Sequence, residues 1–323
     1  MERNLLKTLQ SWKNSTHRKP LIIHGARQVG KSWLVEHFGR SEFEQLLTIN
    51  FELQPKYCSC FASLDPKEII AGIELNANAT IMQGSTLLFL DEIQACPGAL
   101  RSLRYFYENI PDLHVIAAGS LIEFLLNADD FSHPVGRVSS YYLNPLTYGE
   151  FLSACGENKL RTFLQQLSLS SPTDPVHEKC SNLLRTYFYL GGMPEAVAYW
   201  ISSGSFNQND EILQNLLQNY RNDFGKYGKK INIPLLEKVY TRAPAQVGAR
   251  LKYVNVDEQV ASRDIRSAVD LLSKAQIMHK IHAVPGCGLP LGANIKDRIF
   301  KLLFLDIGLL QNSMGIGKET RLS

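Results

Sequence analysis

The feature that most constrains this chain is a glycine-containing segment that joins a short apolar run at residues 21–24 to a helix-compatible run at residues 31–38. Its residues are Gly25, Ala26, Arg27, Gln28, Val29, Gly30, Lys31 and Ser32. This GxxxxGK[ST] spacing is typical of a loop whose backbone N–H groups wrap phosphates at a helix N-terminus. Lys31 would reach the β- and γ-phosphates, and the Ser32 hydroxyl suits Mg²⁺. We therefore predict that residues 25–32 bind a nucleoside triphosphate with Mg²⁺.

Two adjacent carboxylates, Asp91 and Glu92, follow the apolar run at residues 86–90. We predict that Asp91 holds Mg²⁺ and that Glu92 polarises the attacking water as a general base. A GTPase would usually carry an NKxD motif that reads the guanine base, and the sequence contains none. ATP is therefore the expected nucleotide.

Two further residues are candidates for contact with the γ-phosphate. Ser120 follows the apolar run at residues 114–118, where a polar side chain at a strand tip can act as a sensor. The alternative for Ser120 is a simple strand-end turn. Arg137 is a candidate arginine finger for the nucleotide of a neighbouring subunit, and its alternative is a surface salt bridge. The sequence leaves both pairs of alternatives open.

The order of apolar runs predicts the domain organisation. Strand-like and helix-compatible stretches alternate over residues 1–150, which predicts an α/β domain with a parallel sheet covered on both faces. Residues 151–205 are helical in period and are assigned to a helical lid. Residues 206–323 form the third predicted domain.

The third domain has the element order of a winged helix-turn-helix, in which helices precede a β-hairpin. The helix at residues 262–275 has apolar residues at helical spacing, with Ser262 as its N-cap. Two β-compatible runs at residues 277–284 and 298–305 flank a Gly/Pro turn. The further helices are expected at residues 212–220, 234–241 and 246–253.

The charge distribution suggests an anionic partner for this last domain. Net charge is only +3, yet Lys and Arg outnumber Asp and Glu by about two to one between Gln218 and Lys301. The predicted helix at residues 262–275 presents a basic face that would meet DNA phosphates or base edges, made of Arg263, Arg266, Ser267 and Lys274. An ordinary solvated face is the alternative, because Asp264 and Asp270 dilute the charge.

Cysteine usage and hydropathy indicate where the protein works. The six cysteines form no CxxC pair and no Cys/His ligand spacing, which fits a reducing compartment. The first residues lack the apolar stretch of a signal peptide, and no apolar run is long enough to span a bilayer. We expect a cytoplasmic protein with no membrane partner.

Several motifs in order give the chain a resemblance to the bacterial and archaeal AAA+ P-loop ATPases of the AAA_14 type, with a C-terminal domain of unknown function (DUF4143-type). Besides residues 25–32, the motifs are Phe89-Leu90-Asp91-Glu92-Ile93-Gln94, Ala118-Gly119-Ser120, Gly136-Arg137, Pro145-Leu146-Thr147-Tyr148-Gly149-Glu150-Phe151, Gly191-Gly192-Met193-Pro194-Glu195, Phe300-Lys301-Leu302 and Leu305-Asp306-Ile307-Gly308-Leu309-Leu310. They span most of the chain.

The resemblance implies an AAA+ core that binds ATP, a helical lid and a winged-helix segment. Relatives usually continue into a domain that resembles restriction endonucleases. Because the sequence stops at Ser323, we expect that nuclease-like part to be absent or truncated, and we predict no nuclease function.

Two functions from different classes fit the sequence. The first is an ATPase whose nucleotide state gates a DNA-binding domain, with a homo-oligomer as the assembly that would use Arg137. The second is a nucleotide-gated signalling or scaffold switch whose winged helix binds a protein partner, since such domains also serve as protein-interaction modules.

Overall fold

The computed structural model describes residues 1–119, 136–167, 173–225, 232–286, 288 and 291–316. The chain divides into two compact units. The N-terminal unit comprises Glu2–Leu143, and the C-terminal unit comprises Asn144–Ser323 together with Met1.

The N-terminal unit contains a five-stranded sheet in the order β2-β3-β4-β1-β5, and every neighbouring pair is parallel. The strands are β1 (Leu21–His24), β2 (Gln45–Asn50), β3 (Thr86–Asp91), β4 (His114–Ala118) and β5 (Ser139–Tyr142). Its helices include α1 (Leu5–Lys13), α2 (Lys31–Glu42), α3 (Pro66–Ala77) and α4 (Pro97–Asn109), with 3₁₀ turns at Pro55–Phe61 and Ile93–Ala95.

The sequence explains why these segments are strands. Every residue of β1, β3 and β4 is buried, as expected for parallel strands that carry near-continuous apolar runs and are covered on both faces. A core of β-strand and α-helix side chains results, with members such as Ile22, Leu90, Ala117, Leu100 and Phe106. The predicted parallel α/β core is confirmed.

The C-terminal unit is mostly helical. Its helices include α5 (Tyr148–Ala154), α6 (Asn158–Gln166), α7 (Asp174–Leu190), α8 (Pro194–Ser203), α9 (Asn209–Gly225), α10 (Ile233–Arg242), α11 (Ser262–Lys274) and α12 (Ile307–Ser313). An antiparallel pair, β6 (Met278–Ala283) and β7 (Lys296–Phe304), follows α11. No helix in the described part of the chain has both the length and the hydropathy of a membrane-spanning segment.

Two local expectations for this unit were wrong. Residues 246–253 do not form a helix: Gly248 adopts a φ of +82°, and Leu251 N–H donates to the Phe300 carbonyl at 3.1 Å. This segment therefore turns and pairs with β7 instead of coiling. Ser262 is not the N-cap of α11, because the helix is preceded by Ala261, which makes no side-chain cap hydrogen bond.

A buried aspartate joins two of the sequence motifs inside the C-terminal unit. Asp306 is the N-cap of α12, and its carboxylate accepts hydrogen bonds from the backbone N–H groups of Gly192 at 2.6 Å and Leu309 at 3.0 Å. Gly191 has a φ of +74°, and a Cβ built on it would lie 2.1 Å from Asp306 Oδ1. The Gly191-Gly192 turn after α7 is therefore shaped to receive this carboxylate.

A second close approach explains another glycine of the same motifs. A Cβ built on Gly308 would lie 2.5 Å from the Leu190 carbonyl oxygen.

Burial raises the pKa of Asp306, and hydrogen bonds from backbone N–H groups act in the opposite direction. The burial of the Asp306 carboxylate therefore depends on the backbone N–H donors, which compensate for the loss of its hydration.

We expect Asp306→Asn to destabilise the protein by about 1–3 kcal/mol, because an amide NH₂ would face backbone N–H donors and leave one of them unsatisfied. Urea-induced unfolding followed by far-ultraviolet circular dichroism measures the change. The control is Asp297→Asn, since Asp297 is an exposed residue of β7 and should shift stability by less than about 0.5 kcal/mol. Equal stability of the two variants would contradict the role given to Asp306.

Candidate functional site

The glycine-containing loop at residues 25–30 connects the end of β1 to the start of α2, as the sequence predicts. Gly25 must lack a side chain, because a Cβ there would lie 2.3 Å from the Leu143 carbonyl oxygen. Gly30 is the N-cap of α2 with a φ of +91°. Gln28 also has a positive φ, +62°, which is uncommon for a residue with a side chain. The loop is thus tightly curled in front of a helix N-terminus.

Lys31 extends back over this loop from the first residue of α2. Its Nζ donates hydrogen bonds to the carbonyl oxygens of Gly25 at 3.0 Å and Ala26 at 2.9 Å. The side chain is buried. An ammonium group therefore lies against the loop, at the helix end where the macrodipole favours anions. These groups fit a polyphosphate chemically.

Ser32 connects the loop to the end of β3. Its Oγ donates a hydrogen bond to Asp91 Oδ2 at 2.8 Å, although 59 residues separate the two in sequence. The same carboxylate accepts from Asn50 Nδ2 at 3.2 Å, and its Oδ1 accepts from the Glu92 backbone N–H at 3.1 Å. Asn50 is the residue paired with Asp91 across the β2–β3 ladder. The structure therefore brings Ser32 and Asp91 together and adds Asn50 as a second side-chain donor.

Burial raises the pKa of Asp91, while the hydrogen bond from Ser32 acts to lower it and the neighbouring Glu92 charge acts to raise it. A buried carboxylate in this situation gains from a nearby cation. Within the described ranges, no group of three or more His, Cys, Asp or Glu side chains is arranged to hold a metal ion. A Mg²⁺ ion here would therefore take Ser32 and Asp91 with substrate phosphates and water, a ligand set that Mg²⁺ commonly accepts.

Glu92 follows directly and has an unusual backbone conformation, with φ +49° and ψ +45°. Such a left-handed conformation is rare for residues other than glycine, and strain of this kind clusters at functional sites. Gln94 Nε2 donates to Glu92 Oε2 at 2.6 Å. Gln94 is only 5% exposed, and its Oε1 has no hydrogen-bond partner among the residues that the structure describes. Glu92 is thus held from one side by a buried amide.

Asn50 and Gln94 are the two members of this site to which the sequence alone assigned no role. Gln94 stands in the motif of residues 89–94, so its position two residues after the acidic pair was visible, but its contact with Glu92 was not. Asn50 ends a strand of ordinary composition. Its contact with Asp91 depends on the pairing of β2 with β3, and strand order is not encoded in either segment alone.

The remaining predicted site residues lie elsewhere. Ser120 is outside the described residues, which end at Gly119 after β4. Arg137 Nε bonds Glu108 Oε1 at 2.9 Å, and the Arg137 side chain is 47% exposed. Arg137 precedes β5, whose first residue, Ser139, pairs with Leu21 at the start of β1. Arg137 therefore lies at the end of the sheet where β1 and β5 begin, whereas the loop of residues 25–30 follows the other end of β1.

Two family matches cover most of the chain. Residues 17–152 match the AAA domain family, and residues 181–320 match a domain of unknown function, DUF8612. The second match is not specifically to the DUF4143-type domain that the resemblance implied. No curated protein matches the sequence.

Several solved structures are distantly similar. The Aeropyrum pernix ORC1 protein in complex with DNA is 10% identical, with a TM-score of 0.32, and the match covers 99% of this chain and 93% of that chain. The Thermotoga maritima RuvB Holliday junction branch migration motor is 12% identical, with a TM-score of 0.38 and coverage of 87% and 90%. AMPPCP-bound DnaA from Aquifex aeolicus is 10% identical, with a TM-score of 0.32 and coverage of 84% and 86%.

The match of residues 17–152 to the AAA domain family agrees with the parallel sheet observed in the same residues. Residues 17–152 therefore match the AAA domain family and contain the five-stranded parallel sheet of an α/β core.

Proposed function

We propose that the protein is an ATPase that binds ATP with Mg²⁺ at residues 25–32 and Asp91. The observation that carries the proposal is the 2.8 Å hydrogen bond between Ser32 Oγ and Asp91 Oδ2. It joins the helix N-terminus that fits the phosphates to the carboxylate that suits the metal. When bound, Mg²⁺ would neutralise charge on the phosphate oxygens. Ser32 and Asp91 are the protein groups that would hold it.

Glu92 is the proposed general base for hydrolysis. Its carboxylate would accept a proton from water while the water oxygen forms a bond to the γ-phosphorus. The bond from the γ-phosphorus to the β–γ bridging oxygen breaks, which leaves ADP and inorganic phosphate. The hydrogen bond from Gln94 Nε2 fixes one carboxylate oxygen, Oε2. The other oxygen, Oε1, would then be the one that takes the proton.

We expect Lys31→Ala to abolish measurable ATP binding, because it removes the ammonium group from the loop of residues 25–30 (the phosphate loop). Glu92→Gln should bind ATP with unchanged affinity and lose about 10²–10⁴-fold in turnover, as expected for removal of a general base. Isothermal titration and a phosphate-release assay measure the two quantities.

The matched controls for these variants are Lys67→Ala and Glu68→Gln, because Lys67 and Glu68 are exposed neighbours on α3 in the same unit. Both controls should behave as the wild type in binding and turnover. Wild-type turnover by Glu92→Gln would remove Glu92 from the mechanism.

Arg137 is proposed to act on the nucleotide of a neighbouring subunit in a homo-oligomer. Arg137 lies two residues before Ser139, which pairs with the first residue of β1, whereas the loop of residues 25–30 follows the last residue of β1, so the two are at opposite ends of this strand in one chain. Its ion pair with Glu108 is exposed, so it contributes little stability and is easily exchanged for another anion.

A subunit-mixing experiment tests Arg137. Arg137→Ala should reduce turnover, by about 10³-fold if the arginine acts as a finger, and added Lys31→Ala protein should restore part of the lost activity by supplying Arg137 to an intact site. Arg104→Ala is the control, because Arg104 also pairs with Glu108. Unchanged turnover in Arg137→Ala would leave Arg137 as a surface ion pair.

DNA is the proposed partner of the C-terminal unit. Helices α9, α10 and α11 followed by the β6–β7 hairpin have the order of a winged helix-turn-helix, the basis on which α11 is proposed as the recognition helix. The Arg263 and Arg266 side chains on α11 are 88% and 57% exposed. Both are free to reach phosphates at modest cost, because their ion pairs with Asp264 and Asp270 are long, at 3.4 Å and 3.8 Å.

A protein partner is the second candidate for this unit. The observation that favours it is the mixed charge of the α11 face, where Asp270 pairs with both Arg266 and Lys280. Carboxylates on a recognition helix repel phosphates, whereas a protein surface can pair with both signs of charge. In that case ATP would regulate a scaffold, with slow turnover.

Salt dependence of duplex binding separates the two candidates. The DNA proposal predicts that the logarithm of the binding constant falls linearly with log[salt]. Arg263→Ala and Arg266→Ala should each reduce the magnitude of that slope by about 0.9 if each residue contacts one phosphate. Fluorescence anisotropy with a labelled duplex provides the measurement. Lys7→Ala, on α1 of the other unit, should leave the slope unchanged. No binding at low salt, or a flat response, contradicts the DNA proposal and favours the protein partner.

A further inference from the structure

Trp33 is an exposed aromatic residue at the start of α2, directly after Ser32. Its exposed fraction is 46%. The indole ring stacks on the imidazole of His37, with 5.0 Å between ring centroids and 8° between ring planes. The tryptophan is therefore ordered by a partner one helical turn away, while its other surfaces remain accessible.

The position of Trp33 on α2 places it outside the core. Leu34, Val35 and Phe38 are fully buried and define the inward face of the helix, whereas Trp33 and His37 are both on the exposed face. Side chains on a helix lean toward its N-terminus, over the turn that precedes their own Cα. The indole of Trp33 is thus directed toward the phosphate-loop end of α2, and His37 supports it from the C-terminal side.

The contact between Ser32 and Asp91 fixes this end of the helix. Because Ser32 Oγ is hydrogen-bonded to Asp91 and Lys31 is held by the loop carbonyls, the backbone at Trp33 has little freedom. A stacked, pre-oriented ring loses little conformational entropy when a flat ligand covers it. Trp33 is the large aromatic side chain next in sequence to the groups that would hold the phosphates.

We propose that the indole of Trp33 is a stacking platform for the base of the bound nucleotide, and that His37 is a positioning residue that orients it. The inference rests on the proposed function, because it takes the triphosphate to be held by residues 25–32. The chemical class of the ligand is an aromatic base joined to a phosphate chain. Stacking contributes to the affinity for the base and leaves the affinity for the phosphates unchanged.

Parallel titrations with Mg·ATP and with Mg²⁺ and inorganic tripolyphosphate, which has no base, test the inference. Trp33→Ala should weaken ATP binding by about tenfold, the order of effect of removing a base–aromatic stack. Its affinity for tripolyphosphate should match that of the wild type. Trp33→Phe should recover part of the ATP affinity, and His37→Ala should weaken ATP binding by less than Trp33→Ala does. Leu75→Ala, at an exposed apolar residue of α3, is the matched control and should change neither affinity.

Tryptophan fluorescence provides a readout independent of turnover. ATP should change the emission of the wild type, and the change should be lost in Trp33→Phe, because Trp12 is buried and Trp200 belongs to the other unit. Tripolyphosphate should produce a smaller change than ATP.

The outcomes separate this inference from the proposed function. Wild-type binding of both ligands, with Trp33→Ala weakening neither of them or weakening both equally, overturns the stacking role and leaves the phosphate site intact. Failure of the wild type to bind either ligand overturns the proposed function and the stacking role with it.

Discussion

The hydrogen bond from Ser32 to Asp91 is the contact on which the proposed site for ATP and Mg²⁺ depends. The contact forms because the loop of residues 25–30 follows the end of β1, and β3 ends at the same end of the parallel sheet. It therefore depends on the whole parallel core. Burial makes the carboxylate unfavourable in its charged form, and Ser32 and Asn50 compensate with donors. This arrangement leaves Asp91 suited to a cation, which is the physical reason to expect Mg²⁺ there.

The candidate site includes residues with side chains at positive φ values, whereas the contact of Asp306 uses glycine. In the N-terminal unit, Gln28 and Glu92 both adopt positive φ values at the candidate site, where strain is retained only if the surroundings fix the backbone. In the C-terminal unit, the Gly191-Gly192 turn and Asp306 form a lock between the end of α7 and the start of α12. In the proposed function the motifs of the first unit bind the ligand, whereas the motifs that contain Gly191, Gly192 and Asp306 pack against each other.

Much of this arrangement could be predicted from the sequence because its signals are local. A strand, a glycine-containing loop and a helix follow one another at residues 21–42. The residue types of this segment indicate both its phosphate-binding chemistry and the positions where the backbone must be glycine. The roles of Asn50 and Gln94 were missed because each depends on a contact fixed by tertiary structure. The error at residues 246–253 has a similar cause: pairing with β7 and the positive φ of Gly248 override the helical appearance of the segment.

The central claim is that the phosphate loop and Asp91 form one site for a triphosphate and its metal ion. Calorimetric titration of ATP with and without Mg²⁺, in the wild type and in Asp91→Asn, tests it most directly. We expect the wild type to bind ATP more tightly with Mg²⁺, and Asp91→Asn to lose most of that gain while still binding metal-free ATP. Absence of binding in the wild type, or an equal Mg²⁺ effect in both proteins, would contradict this account.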